Sequence, residues 1–138
     1  DPPDALVILD GRNTWIEITD AFFNDSVAKS ITSYAASDMT HAPSETGNVI
    51  DPDRITSESI EDVILKKLNK PTMKGLVKTN GKGILLVGLF GPFFDIHEAE
   101  ENFSDKLKSE LKAQNIFSDI YLYETCTVNK HAYHRIGM

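Results

Sequence analysis

Apolar and polar positions first alternate along this chain and then recur in turns. Ala5-Leu6-Val7-Ile8-Leu9 is a strand-sized apolar run, and residues 13–19 set Trp15, Glu17 and Thr19 on one face against Ile16 and Ile18 on the other. Asp10-Gly11 lies between the two runs. Both central positions of a type I′ turn need positive φ, which Asp and Gly tolerate, so the pair predicts a two-residue β-hairpin. Residues 25–36 predict a helix capped by Asn24 or Asp25. Residues 37–54, with Pro43, Gly47 and Pro52 among many short polar side chains, predict a long loop. Ser57 to Asn69 has helical periodicity and is stopped by Pro71. Asn80-Gly81 reads as a turn before a buried strand over 83–90. Ile96, Ala99, Phe103, Leu107 and Leu111 form one stripe of a long helix over 96–114, with a strand at 116–123 and a final strand or tail over 124–138. Hairpin, helices and alternating strands together predict one α/β domain, a mixed β-sheet flanked by helices.

Composition narrows this picture. The 138 residues suit a single domain, and 41% hydrophobic content is enough for a core, which argues against intrinsic disorder. No apolar run approaches the roughly 18 residues of a membrane span. The opening Asp1-Pro2-Pro3-Asp4 lacks the basic region of a secretory leader, and the single cysteine, Cys126, excludes an internal disulfide framework. A cytoplasmic protein is the expectation. The net charge of −7 argues at first against a polyphosphate partner. Its distribution changes that inference. Residues 1–62 carry 13 acids and 3 bases, residues 63–94 carry six lysines and no acid, and residues 95–138 carry 8 acids and 5 bases. The middle block (Lys66, Lys67, Lys70, Lys74, Lys78 and Lys82) reads either as solvated polar surface or as a patch for phosphates.

Candidate chemistry starts at the hairpin. With Asp10-Gly11 as the loop, Leu9 faces Arg12 and Asp4 falls opposite Glu17, with Cβ atoms about 4.5–5.5 Å apart on the same face. A four-residue loop would instead set Asp4 opposite Thr19 with Glu17 on the diagonal, still on that face. Adjacent carboxylates repel unless a hard cation lies between them. The bland alternative is a frayed Asp4 and an exposed Glu17. On the 57–69 helix, Ile60, Val63, Ile64 and Leu68 form the apolar stripe, and Lys67 lies within it. Such a lysine either snorkels to water or is held at a site edge, near carboxylates or a phosphate.

Lesser signals are weaker. His131-x-x-His134 has metal-site spacing without a third ligand, and Cys126 has nothing that marks it as activated. Phe90, Phe93 and Phe94 are expected to pack under the long helix rather than form a surface patch.

Pro3-Asp4, then Glu17-Ile18-Thr19 on the returning strand, then Ile64-x-x-Lys67-x-x-Lys70 on a later helix, resemble the restriction-endonuclease-like PD-(D/E)xK nucleases. The variant resembled is a prokaryotic one, whose strand motif has lost its lysine and gained one from the following helix. The likeness spans most of residues 3–123. It implies a restriction-endonuclease-like core without the helix and strand that usually precede the Pro-Asp motif. It further implies a Mg²⁺ (or Mn²⁺) ion held by Asp4, Glu17 and the carbonyl of Ile18. By the same resemblance Lys67 orients or helps deprotonate the attacking water, and Lys70 and Lys66 contact phosphate. The expected activity is phosphodiester hydrolysis of DNA, or of RNA, in restriction, repair or mobile-element chemistry, with a homodimer or another protein as further partner. Thr19 occupies the usual lysine position. The alternative is a catalytically inactive nuclease-like module that binds a protein.

Overall fold

The computed structural model describes residues 3–22, 52–90, 99–124 and 133–137. The helix expected over 25–36, most of the 37–54 loop, Phe93, Phe94, Ile96, Cys126 and His131 lie outside the described residues.

Strand β1 (Ala5–Leu9) pairs antiparallel with β2 (Arg12–Phe22). Asp10 and Gly11 both adopt positive φ, 51° and 75°, so the turn is the tight two-residue type and Leu9 faces Arg12. The described crossover to β3 (Gly83–Phe90) contains α1 (Pro52–Asn69) and α2 (Pro71–Asn80). A 3₁₀ turn (Ala99–Asn102) and α3 (Asp105–Gln114) lie between β3 and β4 (Phe117–Glu124), and β5 (Tyr133–Arg135) follows. The five strands form one sheet in the order β1-β2-β3-β4-β5. The central pairs β2–β3 and β3–β4 are parallel and the outer pairs antiparallel, giving the mixed sheet of an α/β fold.

Three expectations about the helices need correction. α1 starts at Pro52, inside the stretch read as loop, because proline fits the first helical turn, where its missing N–H has no partner to lose. The same property lets Pro71 both end α1 and start α2, a helix absent from the sequence-based reading. The long helix over 96–114 is divided. Ser104 is extended (φ −70°, ψ 156°), caps α3 by accepting from the Leu107 amide at 3.2 Å, and is itself held by the Glu61 carboxylate of α1.

The core lies on one face of the sheet. Trp15 and Ala21 of β2, Leu85, Val87 and Leu89 of β3, and Ile120 and Leu122 of β4 are buried against Ile60, Ile64 and Leu68 of α1, Met73 of α2 and Leu107 of α3. Gly83 is required here, since a Cβ would overlap the Trp15 indole, which packs at a tilt of 54° against Phe117 with ring centroids 5.6 Å apart and donates Nε1–H to the Gly81 carbonyl at 2.8 Å. Phe90 does not pack under the long helix as expected: strand alternation turns it to the face opposite α3, where it stacks on Phe22 at 5.1 Å.

Candidate functional site: a paired carboxylate beneath a helix lysine

β2 places Glu17 between Trp15 and Ala21 on the helix-covered face, and the residue is 6% exposed. A lone charge there would be costly. Helix periodicity supplies the counter-charge. Lys67 lies three, four and seven residues beyond Ile64, Val63 and Ile60, so the stripe that docks α1 on the sheet carries it inward. Its side chain is 19% exposed, and its Nζ donates to Glu17 Oε1 at 2.5 Å. The ammonium therefore ends on a carboxylate rather than in water.

Asp4 immediately precedes β1 and is exposed. Its Oδ2 accepts from the Ile18 backbone N–H at 2.7 Å. This follows from the hairpin register, which runs from Leu9↔Arg12 to Ala5↔Ile16 and ends one residue before Asp4. Beyond that end the Ile18 amide has no strand partner on its β1 side, and the aspartate caps it. In extended backbone a residue's N–H and C=O point to the same edge, so the Ile18 carbonyl opens toward Asp4 as well. Two contacts thus fall on adjacent residues of β2, Asp4 at the Ile18 amide and Lys67 at the Glu17 carboxylate.

The other expected cations lie elsewhere. Lys66 is exposed in the last turn of α1. Lys70 is half-buried at the junction of α1 and α2, where its carbonyl accepts from the Met73 amide at 3.0 Å. Lys74 and Lys78 are exposed on α2. His134 Nε2 contacts Glu100 Oε2 at 2.5 Å, and the same carboxylate accepts from the Gly137 amide at 2.7 Å. That histidine ties β5 to the 3₁₀ turn. Among the described residues no group of three or more His, Cys, Asp or Glu gathers as a metal site.

Sequence reading missed a second carboxylate on β2. Asp20 faces away from the core and pairs in register with Gly88, which in turn pairs with Tyr123. A Cβ on Gly88 would lie 2.7 Å from Asp20 Oδ1 and 3.0 Å from the Tyr123 hydroxyl, so both side chains lean over the glycine. Burial raises the Asp20 carboxyl above its ordinary range; burial first, and the Asp20 charge second, raise the Tyr123 phenol. Nothing local in the sequence marks this pair, because it forms across three strands.

Compared with known proteins, the chain matches no family model, no curated protein and no solved structure. None of the described helices is long and apolar enough to cross a membrane.

Proposed function

We propose that this protein is a divalent-metal-dependent phosphodiesterase acting on nucleic acid, with DNA as the expected substrate, built on a restriction-endonuclease-like core. The observation that carries the reading is the 2.5 Å contact between Lys67 on α1 and Glu17 on β2. A helix lysine that reaches the strand carboxylate supports a reading in which Lys67 takes the part of the lysine that Thr19 replaces. The donor set fits Mg²⁺ or Mn²⁺. It comprises the carboxylates of Asp4 and Glu17 with the Ile18 carbonyl, all hard oxygen, and Mg²⁺ commonly takes one or two carboxylates and completes its shell with water and substrate phosphate. When bound, the ion would polarise a phosphoryl oxygen and lower the pKa of a coordinated water. Glu17 would position the Lys67 ammonium, which would orient the attacking water and offset charge on the scissile phosphate. Lys66 and Lys70 would support the phosphate chain from the end of α1.

The test is cleavage of plasmid, single-stranded DNA and RNA with Mg²⁺ or Mn²⁺. Asp4→Ala, Glu17→Ala and Lys67→Ala should each lower the rate by about 10²-fold or more. Parent and variants cleaving equally would sink the assignment.

A second reading, a nuclease-like module that binds a protein, is favoured by one feature. Leu6 and Ile8 are 70% and 72% exposed on the edge strand β1, an apolar surface suited to a partner or a second copy. Binding of Mn²⁺ that Asp4→Ala abolishes would count against it.

A further inference from the structure

A pocket of about 650 Å³ lies at the carboxyl end of α3, beside the start of β4. Lys108, Leu111, Lys112 and Asn115 line it from the helix; their spacing of three, four and seven residues puts them on one face. Asn115 closes the helix in the left-handed conformation (φ 51°), its backbone N–H donating to the Leu111 carbonyl. Phe117 forms an apolar wall, and Lys82 reaches the pocket from the turn before β3. Three lysines from two separate elements therefore converge in a protein of net charge −7. None of them has an ion-pair partner among the described residues, and no carboxylate is among the described lining residues. Lys108 and Lys112, four apart on one helix, repel each other, and Lys82 adds to the repulsion. A multiply charged anion would relieve it. Half-buried Leu111 and the 5% of Phe117 that stays exposed give the pocket an apolar side, and the volume suits a small-molecule ligand.

We propose that this pocket binds a nucleoside phosphate, with the phosphate between Lys82, Lys108 and Lys112 and the base against Leu111 and Phe117. The pocket is separate from the Asp4, Glu17 and Lys67 cluster and does not depend on the metal-site reading. Lysine suits phosphate as a point charge, and the apolar wall distinguishes a nucleotide from inorganic phosphate. The nucleotide is either free or the 5′-phosphorylated end of a strand.

The experiment is a titration of the full chain followed by amide chemical shifts. The probes are adenosine 5′-monophosphate, adenosine, inorganic phosphate, and a short oligothymidine with and without a 5′-phosphate. Adenosine monophosphate should shift the Asn115 and Phe117 amides saturably, and adenosine and inorganic phosphate should each bind at least about tenfold more weakly. Lys108→Ala with Lys112→Ala should weaken binding at least about tenfold, as should Lys82→Gln, whereas Lys106→Ala, exposed on α3 outside the pocket, should not. Retained spectral dispersion shows that each variant is folded. Tighter binding of the phosphorylated oligonucleotide than of the monophosphate identifies a strand end; the reverse order identifies a free nucleotide. The proposal is overturned if adenosine binds as well as its monophosphate. It is equally overturned if the lysine variants bind like the parent, or if no probe shifts these amides at about 10 mM.

Discussion

Strand β2 carries one carboxylate on each face of the sheet, and the two are handled differently. Glu17 lies on the helix-covered side, almost wholly buried, with the Lys67 ammonium against it. Asp20, three residues on, lies on the opposite side beside Ile18, which is 44% exposed, and no cation among the described residues pairs with it. The deeper charge has a dedicated partner, and the shallower one responds by holding its proton more tightly. Burial alone therefore does not decide how a carboxylate behaves. What decides is whether the element packed above it delivers a counter-charge, and α1 does so only on one face.

The comparison breaks most sharply at Lys67. Lys67→Met leaves Glu17 buried without its cation and should cost about 3 kcal/mol of folding stability, read by urea unfolding. Glu17→Leu added to Lys67→Met should recover much of that loss, because removing both charges leaves no desolvated ion. A double variant no better than the single would show that the pair is not coupled as its 2.5 Å contact indicates. Gly83→Ala tests the packing beneath the same face. Its methyl must displace the Trp15 indole, at a cost of about 2 kcal/mol with a change in Trp15 fluorescence. Unchanged stability and fluorescence would mean that the indole relaxes freely.

Asp20→Asn should have the smallest effect, and its sign is opposite. Because the folded-state pKa of Asp20 is raised, its contribution to stability is full at acid pH and is lost as pH rises through that transition. The asparagine variant should match the parent below the ordinary carboxylate range and become the more stable of the two above the raised transition. Removing the Asp20 charge should also bring the Tyr123 phenol partway back toward its ordinary value, with the share due to burial remaining. A parent and variant with the same pH–stability profile would show that Asp20 is fully hydrated.

Local signals in the sequence predicted what local chemistry controls. Asp10-Gly11 demanded a tight turn, the turn set the register, and the register placed Asp4 at the Ile18 amide. The apolar stripe of α1 placed Lys67 on the inward side. The failures were local as well. Pro52 and Pro71 suggest breaks, although proline at a helix start is favourable, so the pattern of the chain conceals residues 52–56 of α1 and all of α2. The stripe through Phe103 and Leu107 suggested continuity that the Ser104 cap interrupts. That cap is stabilised by Glu61, 43 positions away in the chain.

The amino-acid sequence carried the hairpin, the face that each of its residues takes, the α/β class and the inward side of α1, because turn chemistry and side-chain period act within a few residues. Tertiary packing docks α1 over β2 so that Lys67 meets Glu17. It alone brought Asp20 and Tyr123 together over Gly88, and Lys82 to the face of α3. Those meetings depend on strand order and on the face that each crossover covers. Both are set by packing between segments distant in the chain, which no short-range pattern encodes.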